Sequence, residues 1–146
     1  MRETIYEAAG GREAFVRLAK AWHARCLADE VVSHAFSHGF HPEHTERLAA
    51  YWAEALGGPA AYTEGIGDES AVVRMHSGNG VHPEMDERAQ ACFEQALEDV
   101  GLEPRLRETL AGYFRWAHGA MVAYPRSAED VPAGLRLGKW GWDGPV

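Results

Sequence analysis

The sequence predicts a single all-α domain. Apolar residues recur at helical spacing in almost every segment, and no stretch alternates apolar and polar residues long enough to make a convincing strand. Glycine and proline fall between the helical segments. At 146 residues the chain is long enough to bury a real core and too short for two ordinary domains.

A short opening segment, "RETIYEAA", breaks at Gly10-Gly11. The first long helix is expected at about 11–28, with Phe15, Leu18, Ala19, Trp22 and Cys26 on its inner face. "DEVVSHAF" makes a short turn ending at Phe36, and the loop "SHGFHP" comes next. Pro42 suits the first turn of the next helix, with Glu43 and Glu46 complementing its positive end. His44, Leu48, Tyr51, Trp52 and Ala55 form that helix's inner face, and "GGP" at 57–59 stops it. Residues 60–70 read as loop with at most a turn, and "AVVRMH" as a short helix. Pro83 opens a helix to about 100, with Met85, Ala89, Cys92, Phe93, Ala96, Leu97 and Val100 inward. The last helix, about 104–124, turns Leu106, Leu110, Tyr113, Phe114, Ala117, Met121 and Val122 inward. The expected division is a domain at 1–124 and an extension at 125–146, whose two tryptophans argue that it packs on the domain.

Charge and composition exclude several function classes. The net charge of −8, from 22 acidic and 14 basic residues, argues against nucleic acid and anionic lipid as partners. No apolar run approaches the roughly 20 residues of a membrane span, and "MRETIYEAAGG" lacks the apolar core of a signal peptide. A cytoplasmic location is expected, with Cys26 and Cys92 as buried free thiols.

Eight histidines are many for this length, and imidazole is the commonest side chain at metal and proton-transfer sites. His23, His44 and His76 fall on or beside inner faces. Each alone reads as well as a core histidine bonded to a backbone carbonyl. Three pointing inward need partners, because unpaired buried polar groups are costly. Two partners compete. A protein-bound metal would draw on His34, His38, His41 and His44, although Pro42 and a glycine interrupt any common helix face. A haem would take one axial histidine and an apolar slot, with Phe36, Leu48, Tyr51, Trp52, Met75, Phe93 and Met121 as wall residues.

The order of segments resembles the truncated haemoglobins, group II among them, over about residues 3–124. The matching stretches are "YEAAGG" at 6–11, "AWHARCLADEVV" at 21–32 and "ERLAAYWAEALGGPAAY" at 46–62. A lone His76 comes about 14 residues after Tyr62, then "DERAQACFEQAL" at 86–97 and "LRETLAGYFRWAHGAM" at 106–121. The resemblance implies a two-over-two helical sandwich around haem b, with His76 as the iron ligand and His23 and His44 beside the bound ligand. Phe36 and Leu48 would face the porphyrin and the distal space, Tyr62 would belong to the cofactor-contacting set, and Arg74 would reach a propionate. The function implied is binding of O2, NO or CO, with turnover of NO or peroxide as a further expectation. The partners implied are a diatomic gas, a reductase of unspecified identity and at most a second copy of the chain.

The chain departs from the family pattern in four places. His23 stands where the family usually has Tyr, and Ala89 where group II usually has a ligand-bonding Trp. Met75 stands where an Arg commonly precedes the axial histidine, and the loop before His76 is about one residue longer. Two imidazoles in place of phenol and indole imply weaker or differently tuned O2 retention, and loss of the Trp implies room for a larger ligand. Two other readings stay open at this level. One is a haem-free metal-binding or sensor module built on His34, His38, His41 and His44. The other is a globin-shaped domain that has lost its haem.

Overall fold

The computed structural model describes residues 3–146; Met1 and Arg2, the start of the expected opening segment, lie outside the described residues. The helices are α1 Ile5–Ala9, α2 Arg12–Ala28, α3 His44–Ala55, α4 Ala61–Gly65, α5 Glu69–Met75, α6 Pro83–Asp99 and α7 Pro104–Met121, with 3-10 turns at Val32–Phe36 and Ala128–Asp130. The fold is all-α, as the periodicity requires. α3 packs on α2 and α7 on α6, and the two pairs meet chiefly through α2 and α6. This is the two-over-two arrangement.

Local chemistry explains the element boundaries. Thr4 and Glu7 form a reciprocal capping box that starts α1. Asp68 caps α5 by accepting from the amide of Ala71 at 2.9 Å. Pro83 and Pro104 stand in the first turns of α6 and α7, where a missing N–H costs nothing.

Three expectations need correction. Pro42 does not begin α3, because a tight turn forms first. His44 N–H donates to the carbonyl of His41 at 2.9 Å, and His41 Nδ1 accepts from the amide of Glu43 at 3.0 Å. Residues 61–65 are helical, whereas the sequence read as loop. The extension also carries a two-residue hairpin, β1 Trp140–Gly141 against β2 Gly144–Pro145.

One contiguous core runs through both helix pairs. Phe15 and Leu18 from α2, Phe93 and Leu97 from α6, and Leu110 and Tyr113 from α7 are almost fully enclosed in it. Val131 and Leu137 of the extension join the same core. Burial of this apolar area is what fixes helices as short as α1 and α5, which would be marginal alone.

Candidate functional site

His23, His44 and His76 come from α2, the start of α3 and the end of α5. The rings of His23 and His44 lie 4.9 Å apart, centroid to centroid. Phe36 packs edge-on against both, at 4.9 Å from His23 and 5.5 Å from His44. Phe40 lies 4.5 Å from His23 and 5.9 Å from His44. Two imidazoles therefore sit in a box of aromatic carbon.

That box leaves them without partners. His23 is only 9% exposed, and neither of its ring nitrogens has a hydrogen-bond partner; Nε2 of His44 is also buried and unpaired. A buried orphan of this kind costs about 1–3 kcal/mol, so three in one place mark a space built for something polar or ligating. Burial lowers the pKa of His23. The same cause, joined by the charges of His23, His76 and His41, lowers that of His44. Both rings are neutral at pH 7.

His76 stands at the C-terminal end of α5. Its Nδ1–H donates to the carbonyl of Val72 at 2.8 Å. A carbonyl can only accept, so the proton is on Nδ1 and the lone pair of Nε2 stays unused. His76 is solvent-accessible, yet surrounding protein lowers its pKa, with the charge of His118 adding to the effect.

One histidine with an unused Nε2 lone pair, and two buried imidazoles without partners, suit a group that one neutral imidazole ligates while the others meet it. A flat apolar macrocycle carrying a metal meets those demands.

The remaining expected residues divide. Trp52 and Phe93 are core, 5.3 Å apart edge to face, and Phe93 stacks on Phe114 at 4.3 Å. Leu48 is half-buried against that cluster and Met121 is buried within it. Tyr51 and Tyr62 meet at 5.2 Å. The Tyr51 hydroxyl donates to the buried carboxylate of Glu69 at 2.6 Å, so its polar end is already committed.

Met75 is 73% exposed. The short α5 turns Glu69, Ser70, Val72 and Val73 inward, and position 75 falls outside that face. Arg74 donates to the carbonyl of Val131 at 3.4 Å, an anchor in the extension. The room expected beside Ala89 is also used. The indole of Trp22 lies against it and donates Nε1–H to the Ala89 carbonyl at 3.2 Å.

The alternative metal cluster does not assemble. His34, His38 and His41 are exposed, His44 turns toward His23, and among the described residues no group of three or more His, Cys, Asp or Glu could hold a metal ion.

Sequence reasoning missed Phe40, whose loop carries no periodicity to aim it, and His118. The His118 Nε2–H bonds Asp86 at 2.8 Å, and Asp86 also pairs with His82 at 2.8 Å. The i, i+4 spacing of His82 and Asp86 was a readable signal for half of that cluster.

A family model described as bacterial-like globin matches residues 4–123. The chain belongs to the bacterial-like globin family. Among solved structures, this globin is 28% identical to the haemoglobin of the thermophilic phototroph Chloroflexus aurantiacus, over 83% of its own length and 98% of that chain, with a TM-score of 0.71. It is 25% identical to the group II truncated haemoglobin of Bacillus anthracis over 86% and 95%, with a TM-score of 0.74. With the thermostable haemoglobin of Thermobifida fusca the identity is 27% over 91% and 100%, with a TM-score of 0.68. No curated protein matches by sequence. The globin is thus a group II-like truncated haemoglobin in fold, and membership of the family implies haem binding. No described helix is long and apolar enough to cross a membrane.

Proposed function

We propose that this globin is a cytoplasmic protein that binds haem b through Nε2 of His76 and takes a diatomic ligand, O2, NO or CO, on the side of His23 and His44. The observation that carries the reading is the 2.8 Å bond from His76 Nδ1–H to Val72 O, which fixes the ligating tautomer and raises the basicity of Nε2. The orphaned nitrogens of His23 and His44 support it from the opposite side. Phe36 and Leu48, both half-buried, are the apolar side chains available to enclose the macrocycle, with the Trp52 and Phe93 core and Tyr51 and Tyr62 behind them. Bound haem supplies the iron at which a diatomic ligand is held.

The chain's own residues decide how that ligand is treated. His23 and His44 are neutral, so each can donate one hydrogen bond to a ligand or accept a proton from it. The second capacity is what NO- or peroxide-consuming turnover with a reductase partner would use. The Trp22 indole is spent on Ala89 O and gives a ligand nothing. Retention of bound O2 would then rest on the imidazole donors of His23 and His44.

The test is O2 release by the haem-loaded ferrous protein. Replacing His23→Tyr exchanges an imidazole donor for a phenol and changes the release rate, and His44→Leu removes a donor and speeds release by about tenfold, the worth of one good hydrogen bond. An unchanged rate in His23→Tyr and in His44→Leu would remove both imidazoles from the ligand site.

A further inference from the structure

The extension does more than cover apolar surface. Ser70 lies on α5, is 2% exposed, and has its hydroxyl used in both senses by the extension. It donates to Pro132 O at 2.8 Å and accepts from Leu135 N–H at 3.0 Å. One turn later Arg74 donates to Val131 O at 3.4 Å. Past His76, the amides of Gly78 and Gly80 donate to Tyr124 O at 3.0 Å and Pro125 O at 2.8 Å. Both glycines have positive φ, 77° and 73°, so the loop takes this path because side chains are absent there. The start of the extension thus grips α5 and the loop on both sides of His76, and Val131 and Leu137 anchor it in the main core.

A grip of this kind matters for a helix of seven residues. α5 is too short to hold its own geometry, yet the carbonyl that orients His76 belongs to Val72 within it. Any tilt of α5 moves both the ring and its acceptor.

We propose that residues 124–135 form a strap that positions His76 for ligation, with Ser70 as its central positioning residue. The proposal rests on the haem reading above. The strap fixes the direction of Nε2 and the Nδ1–H bond to Val72, and through them the strength of the axial bond.

Two variants break the same bond from opposite sides: Ser70→Ala removes the hydroxyl, and Leu135→Pro removes the amide donor without touching α5. The first readout is the iron–imidazole stretch in the resonance Raman spectrum of the reduced, haem-loaded protein. The second is amide exchange over residues 69–80 in the haem-free protein. Both variants should shift or split the stretch relative to wild type, and speed exchange over 69–80 about fivefold to tenfold, the factor one hydrogen bond supplies. Exchange in α2 and α3 should not change. A stretch identical to wild type in both variants overturns the proposal, even where exchange quickens, because the strap is then only a cover for the core. Should Ser70→Ala fail to fold, Leu135→Pro alone decides. A wild-type protein that takes up no haem brings down the haem reading and this proposal with it. Haem uptake with an unmoved stretch brings down the strap alone.

Discussion

Tyr51→Phe isolates one buried bond and exposes its electrostatics. The hydroxyl of Tyr51 donates to Glu69 at 2.6 Å, and both residues are buried. Hydrogen bonds to a charged partner contribute about 1.5–3 kcal/mol, so roughly 2 kcal/mol is the expected loss at pH 8. For a chain of this size that lowers Tm by about 4–8 °C. The loss should also depend on pH, in a direction the structure sets. Burial raises the pKa of Glu69, and the Tyr51 bond opposes that by favouring the ionised form. Without the bond, Glu69 in the variant protonates at higher pH than in wild type. The two proteins then differ most where Glu69 is ionised in both, and the gap narrows as pH falls through the two folded-state values. Urea unfolding of the haem-free proteins between pH 8 and pH 5 measures it. A difference below about 0.5 kcal/mol, or one flat across that range, would show that the bond does not stabilise an ionised Glu69.

Other consequences can be checked on the haem-free protein as well. His23 and His44 titrate below the ordinary imidazole value of 6.5 in the folded chain. The unfolded state therefore binds more protons as pH drops below 6.5, and haem-free protein loses stability there by at most about 1.4 kcal/mol per pH unit for each ring. Urea midpoints at pH 7.5 and 5.5 should show that slope flattened in His23→Phe/His44→Leu; an unflattened slope would place the titration elsewhere. Cys26 and Cys92 are buried free thiols, raised in pKa chiefly by desolvation. Thiol titration should find neither reactive until denaturant is added; rapid labelling of the native protein would contradict this. A Cβ on Gly58 would sit 2.7 Å from Tyr6 Cδ1 and 2.8 Å from the Ala53 carbonyl. Gly58→Ala should cost about 1–3 kcal/mol by overpacking, read as a lower Tm, and an unchanged Tm would show the backbone yields.

The helices were legible because their inner faces repeat at helical spacing, as Phe15, Leu18, Ala19 and Trp22 do on α2. The inward aim of His23 and His44 was legible for the same reason. What periodicity could not give was the course of non-repeating chain. Phe40 reaches His23 from a loop whose residues have no face, and α3 starts late because His41 spends its Nδ1 and carbonyl on a tight turn. Spacing also misled where a partner lay far away in sequence. The Arg74 guanidinium meets Val131, 57 residues on, a contact its place near His76 did not announce. Ala89 looked like an opening because nothing local says that Trp22, 67 residues away, lies against it. A short helix such as α5 carries little information about its own setting; that setting comes from the extension.

If Nε2 of His76 is the atom that takes the iron, haem uptake must depend on that ring and on no neighbouring histidine. Titrating the haem-free protein with haemin and monitoring the Soret band tests this directly, with His76→Ala and His118→Ala beside wild type. His118 is the fair control, since it is another partly buried histidine but has its Nε2 held by Asp86 at 2.8 Å. Wild type and His118→Ala should saturate at one haem per chain. His76→Ala should lose the sharp band and recover it on addition of free imidazole. A full Soret band in His76→Ala, or its loss in His118→Ala alone, would contradict the assignment of His76.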